Sequence, residues 1–98
     1  MKTIYISGQI TGLPYDEAFK KFAKAEKHLK NHGYAVVNPM THVPHNETWS
    51  WFDYMSEDIK LLGKCESIYM LKGWQKSDGA RIEYEIAIRK NKKIIYEK

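Results

Sequence analysis

Four short apolar runs, Thr3-Ile4-Tyr5-Ile6, Tyr34-Ala35-Val36-Val37, Ser67-Ile68-Tyr69-Met70-Leu71 and Lys93-Ile94-Ile95-Tyr96, are separated by stretches of helical periodicity. That alternation constrains the chain more than any other feature. Runs that are apolar at consecutive positions suit strands covered on both faces, as in a parallel sheet. Parallel neighbours cannot be joined by a hairpin, and the helical stretches supply the crossovers they need. Right-handed crossovers then leave a small doubly wound, flavodoxin-like α/β sheet of about four parallel strands, order 2-1-3-4, with helices on both faces. At 98 residues the chain is expected to form one domain, 1–98, with no room for a separate substrate domain.

The first strand, about residues 2–6, ends in the turn-rich Ser7-Gly8-Gln9-Ile10-Thr11-Gly12-Leu13-Pro14. A helix is expected from Tyr15 to His32, closed by Gly33, followed by the second strand and a long loop from Asn38 to Thr48. A second long helix is expected from Trp49 to Lys64, with Phe52, Met55, Ile59 and Leu62 as its buried stripe. After the third strand and the loop 72–76, a last helix carries Glu83, and the fourth strand follows. Ligands of such sheets bind at the carboxyl ends of the strands where strand order reverses, here between strands 1 and 3. The loops 7–14 and 72–78 are therefore expected to meet at one pocket.

Composition narrows the class. No run approaches the ~20 apolar residues of a membrane span, the N-terminus carries no signal-peptide pattern, and the single Cys65 suits a reducing compartment. A cytoplasmic protein is expected. The net charge of +4 invites a nucleic-acid reading. Yet Lys20, Lys21, Lys24, Lys27 and Lys30 interleave with Phe19, Phe22 and Leu29 at helical spacing, as on the wet side of an amphipathic helix, and no recognition motif accompanies them.

Three segments carry chemistry. In Ser77-Asp78-Gly79-Ala80-Arg81-Ile82-Glu83 a small-residue turn enters a helix with a carboxylate on what reads as the first turn, where the helix end would hold it ionised and aimed. Glu83 there either complements the helix dipole or serves as a nucleophile. Glu85, two residues on, projects to the opposite face and is expected toward solvent or a lysine. Ser7-Gly8-Gln9-Ile10-Thr11-Gly12 is neither a Walker loop nor a dinucleotide fingerprint, but its glycines and the Thr11 hydroxyl suit a small anion. Tyr5, near the strand end, can aim its hydroxyl at the carboxylate. Asp58 borders the apolar stripe of the second long helix, and with Glu83 it would form a nucleophile and proton-donor pair of the kind glycosyl transfer uses. Trp49, at a loop–helix junction, is the candidate to stack on a flat base. His42, His45 and Glu47 match no common zinc spacing, so no metal is expected.

With these residues assembled, the chain resembles the nucleoside 2-deoxyribosyltransferase family, nearest to its short branch of deoxynucleoside 5′-monophosphate N-glycosidases and to compact relatives in phage and bacterial genomes. The resemblance rests on Ile4-Tyr5-Ile6-Ser7-Gly8-Gln9-Ile10-Thr11-Gly12, on Asp58 through Glu66, and on Ser77-x-Gly79-x-x-x-Glu83-x-x-x-Ala87. It implies that Glu83 is the nucleophile, that Asp58 protonates or orients the base and that Tyr5 positions Glu83. It places Ser77 where the transferases carry an acid, which favours a phosphate, and Thr11 where the hydrolase branch carries a phosphate-contacting Arg. A C-terminal element with which a neighbouring subunit completes the transferase pocket is expected to be absent beyond Tyr96. The implied activity is cleavage of the base–deoxyribose bond of a deoxynucleoside or its 5′-monophosphate, by hydrolysis or transfer, without cofactor. A 5′-phosphate is expected where Gly8 to Gly12 meets Ser77 and Gly79. A non-catalytic nucleotide-binding protein on the same scaffold is the alternative. The breadth of Trp49, Trp51, Phe52, Tyr54 and Met55 on one helix implies a homo-oligomer.

Overall fold

Alternating side-chain directions along the two central strands sort the core into two halves. A computed structural model describes residues 2–98. Its strands are β1 (Thr3–Ser7), β2 (Ala35–Val37), β3 (Ser67–Met70) and β4 (Lys93–Tyr96). Its helices are α1 (Tyr15–Asn31), α2 (Pro39–His42), α3 (Trp51–Gly63) and α4 (Asp78–Arg89), with a 3₁₀ turn at Trp74–Lys76. The four strands are all parallel, in the order β2-β1-β3-β4. Ile4, Ile6, Tyr69 and Leu71 point to one face and meet Phe22, Ala25 and Leu29 of α1. Tyr5, Ile68 and Met70 point to the other and meet Leu62 of α3 with Ala80 and Ala87 of α4. The period of two in each strand thus places helices on both sides.

Each helix follows its apolar spacing. In α1 the buried residues Ala18, Phe22, Ala25 and Leu29 recur every three or four positions, leaving Lys20, Lys21, Lys24 and Lys27 exposed. Two departures from the sequence reading bear on the site. The helix expected from Trp49 starts at Trp51, because Ser50 and Asp53 form a capping box in which each side chain accepts from the other's backbone N–H. The segment read as one loop from Asn38 to Thr48 contains α2, started by Pro39 in the first helical position and by the Asn38 side chain accepting from the Met40 N–H. The stripe expected on α3 is narrower than its spacing suggested. Met55 and Leu62 are buried, Ile59 is half-buried, and Phe52 is 76% exposed.

The chain reverses strand order between β1 and β3, and the two strand ends are tied there by the Leu71 N–H donating to the Ser7 carbonyl at 2.9 Å. Gly8 follows directly. A Cβ at this position would stand 2.8 Å from Leu71 Cδ1 and 2.9 Å from its Cβ, closer than such atoms approach. Gly8→Ala is therefore expected to cost about 1–3 kcal/mol through overpacking. At Gly63 there is open space, so Gly63→Ala is expected to be neutral or stabilising by up to about 1 kcal/mol. Urea unfolding of both variants checks this, and equal midpoints would show that the Gly8–Leu71 approach is not tight.

Candidate functional site

The candidate site is built on residues 5 and 7 of β1, which share one face of the strand and are both buried. α4 packs against that face through the small Ala80 and Ala87, while Gly79, also buried, lets Met55 of α3 approach, a Cβ there standing 3.0 Å from the Met55 Sδ. Glu83 lies among them at helical spacing and is only 5% exposed. The Tyr5 hydroxyl donates to its Oε2 and the Ser7 hydroxyl to its Oε1, each at 2.6 Å. Both oxygens of the carboxyl group thus have a fixed donor. Glu85 is exposed, as the 100° rotation per residue requires.

The helix end does less for Glu83 than the sequence suggested. α4 begins at Asp78, capped by the Ser77 hydroxyl accepting from the Ala80 N–H at 3.1 Å. Glu83 therefore stands in the second turn, beyond the reach of the strongest dipole effect. Burial pushes its carboxyl up to about 7, opposed by the hydrogen bonds from Ser7 and Tyr5 and reinforced by the nearby charge of Asp58. The expectation of a group held firmly ionised is corrected accordingly. Below about pH 7 the folded chain keeps Glu83 protonated.

Glu83 opens on a cavity of about 260 Å³ at the switch between β1 and β3. Asp58 of α3 lines the same cavity, and its carboxyl is pushed up to about 6 by burial and then by the charge of Glu57. Tyr5, Gly8, Ile10, Thr11, Ser77 and Gly79 border it as well. The loops 7–14 and 72–78 thus meet as their topology requires. Ser7 contributes through Glu83, whereas Gln9 and Gly12 do not line the cavity. Gln9 instead donates to the Thr11 carbonyl at 3.2 Å and braces the loop.

Trp49 does not line the cavity; it packs edge-on against Tyr54 at 5.2 Å. Trp51 lines it instead, because the capping box starts α3 two residues later than the sequence reading placed it. Reading Ser50-Trp51-Phe52-Asp53 as a capping box would have found this residue. The outer wall is made by Tyr15, Met40, Val43, His45 and Tyr54, which the sequence did not single out as a pocket. Buried Asn38 secures that wall, its side-chain amide donating to Glu26 of α1 at 3.0 Å while its carbonyls accept from Met40 and His42. His45 sits between the rings of Tyr15 and Tyr54, while His42 is turned to Asn38. Among the described residues no group of three His, Cys, Asp or Glu side chains is placed to hold a metal ion. No helix among them is long and apolar enough to cross a membrane. The described lining carries two carboxyl groups and no Lys or Arg.

Residues 2–96 match the family described as Domain of unknown function (DUF4406). The chain belongs to that family. No curated protein matches its sequence. Among solved structures it is similar to a 2-deoxyribosyltransferase from the psychrotolerant bacterium Bacillus psychrosaccharolyticus, with a TM-score of 0.74 and 20% identity over 96% of this chain and 70% of that one. It is also similar to the 2-desoxiribosyltransferase from Leishmania mexicana, with a TM-score of 0.69 and 20% identity over 98% of this chain and 63% of that one. These likenesses establish a shared fold, and the chain spans about two thirds of the length of both proteins.

The raised pKa of Glu83 carries a stability consequence. An unfolded glutamate ionises near 4.5 and folded Glu83 near 7. Between those values the folded chain keeps a proton that the unfolded chain has lost, so this group's contribution to stability falls as pH rises through the window and levels off above about 7. Glu83→Gln, which cannot ionise, is expected to exceed the wild type by on the order of 3 kcal/mol at pH 8 and to match it near pH 4. Denaturant unfolding at the two pH values checks this. A difference independent of pH would show that Glu83 is not a buried, titrating group.

Proposed function

We propose that this protein cleaves the base–deoxyribose bond of a deoxynucleoside or its 5′-monophosphate, as an N-glycosidase or a deoxyribosyltransferase. The observation that carries the reading is the Glu83 carboxyl, held on both oxygens by Tyr5 and Ser7 and facing a cavity that it shares with Asp58. A pair of carboxyl groups of this kind suits glycosyl transfer, with one as nucleophile and the other as proton donor. The fold that the chain shares with two 2-deoxyribosyltransferases supports it.

In this reading ionised Glu83 attacks C1′ through an oxocarbenium-like transition state. The C1′–N bond breaks, its electron pair passes to the base, and protonated Asp58 delivers a proton to the departing base. The glycosyl ester on Glu83 is then attacked at C1′ by water or by a second base, whose proton returns to Asp58, and the Glu83 carboxylate leaves. Tyr5 and Ser7 fix the attacking group so that little motion is needed to reach the transition state. The base stacks on Trp51, which takes the part expected of Trp49. Gly8, Thr11, Ser77 and Gly79 offer backbone and hydroxyl donors to the sugar and its 5′ end. The two carboxyl groups and the absence of Lys or Arg among the described lining favour the unphosphorylated substrate.

Productive chemistry requires Glu83 ionised and Asp58 protonated, and the charge of Asp58 is one of the causes that raise the Glu83 carboxyl. The pH profile of kcat/KM is expected to be a bell with flanks near about 6 and about 7, both belonging to the pair. Chromatography of deoxynucleosides and their monophosphates incubated with the protein is the deciding assay, with free base as the readout. Glu83→Ala is expected to lower base release by at least about 10³-fold, and Glu85→Ala to leave it nearly unchanged. Wild-type turnover by Glu83→Ala would exclude the covalent route. Saturable nucleotide binding with no base released would mark the protein as a nucleotide-binding relative of these enzymes.

A further inference from the structure

The carboxyl end of α1 brings together two histidines that the candidate site does not use. His28 lies in the last turn and His32 is the capping residue, four positions on, so the two side chains are neighbours on one face of the helix. Both are exposed, and their ring centroids lie 4.4 Å apart with the planes tilted by 45°. The His32 Nδ1 stands 2.8 Å from the His28 carbonyl oxygen. A carbonyl can only accept, so this nitrogen carries the ring proton and the His32 Nε2 keeps a free lone pair. The same bond fixes the ring, as a backbone carbonyl does behind many metal-ligating histidines. Neither residue lines the site cavity, which α1 reaches through Tyr15 and Phe22 in its first half.

We propose that His28 and His32 form a chelate site for a divalent late transition metal ion, Cu²⁺ foremost. Histidines at i and i+4 of a helix present their rings to one ion, as in the helical zinc motif that uses the same spacing. The ring separation selects the geometry. With metal–nitrogen bonds of about 2.1 Å, two imidazoles bound at a right angle hold their centroids about 4.5 Å apart, whereas a tetrahedral angle needs about 5.2 Å. The observed 4.4 Å fits the right angle. Right-angled nitrogen and oxygen ligation suits Cu²⁺ or Ni²⁺, and Cu²⁺ stands highest in the order of divalent affinities. Water completes the coordination, so the pair needs no third His, Cys, Asp or Glu, and among the described residues none is grouped with it. Charge on this face acts in both directions. Lys24, one turn before His28, opposes a cation, while Lys30 is neutralised by Glu26 at 2.6 Å. The last carbonyls of a helix carry partial negative charge and favour a cation there. A bound ion would span the last turn of α1 and its cap, and so pin the turn at Gly33 that leads into β2.

Calorimetric titration of the full chain with Cu²⁺ in a non-chelating buffer at pH 8, followed by electron paramagnetic resonance of the frozen complex, tests this. One ion is expected per chain with a Kd of about 10 µM or below, and the spectrum is expected to show hyperfine coupling to two imidazole nitrogens. Zn²⁺, which favours the wider tetrahedral angle, is expected to bind at least about tenfold more weakly. His28→Ala and His32→Ala each remove an exposed side chain, so both are expected to keep the wild-type circular dichroism spectrum. Each is expected to bind Cu²⁺ at least about tenfold more weakly, because a chelate becomes a single ligand, and to lose the coupling to one nitrogen. No saturable binding up to about 1 mM, affinity unchanged in either variant, which would place the ion on other groups such as His42 and His45, or coupling to a single nitrogen in the wild type would each overturn the proposal.

Discussion

A carboxyl group in the middle of a small core is costly unless both of its oxygens are satisfied, and the arrangement around Glu83 follows from meeting that requirement. Two hydroxyl donors must come from one face of one strand, which places Tyr and Ser at positions 5 and 7 of β1. The strand must be central, so that the face is shielded from water, and β1 lies between β2 and β3. The helix that carries the carboxyl must then pass close to the strand, which the small residues at 80 and 87 permit. No described buried side-chain polar atom is left without a partner. Ala80 and Ala87 pack in the same buried cluster as Tyr5, so a larger residue at either would press on the face that carries the donors.

Hydrogen bonding does not return Glu83 to the ordinary glutamate range, because desolvation outweighs the two donors and Asp58 adds a second negative charge nearby. The fold therefore holds two carboxyl groups with pKa values near neutrality in one cavity, at a cost in stability that a core of purely apolar side chains would avoid. Such perturbed pairs gather where chemistry is done, since acid–base and nucleophilic roles need groups poised near the working pH. The remainder of the structure is arranged to hold them. Asn38 fixes the corner that leads to the outer wall, and the Ser50–Asp53 capping box sets where α3 begins and hence where Trp51 stands.

Much of this was legible in the sequence because strand spacing and helix spacing are strong, local signals. The alternating runs led to the parallel sheet and its order, and topology alone brought the loops after β1 and β3 together around Glu83, Ser77 and Gly79. The angular separation of Glu83 and Glu85 placed one inside and the other in solvent. What escaped were features that depend on tertiary packing. The protonation of Glu83 is not legible in the helix-end pattern, because that pattern is local, whereas desolvation arises from the whole core. The sequence points to Trp49 rather than Trp51 because the apolar pattern begins before the cap. The wall at Met40, Val43 and His45 belongs to a segment with no periodicity of its own, held by a single buried Asn whose partner Glu26 lies on another helix.

The central claim is that Glu83 is a buried carboxyl group poised near neutrality between Tyr5 and Ser7. Carbon-13 NMR of side-chain carboxyl groups in labelled protein, with the Glu83 signal assigned by its loss in Glu83→Gln, measures this directly. The structure predicts a titration midpoint near 7. A midpoint at the usual glutamate value near 4.5 would contradict it.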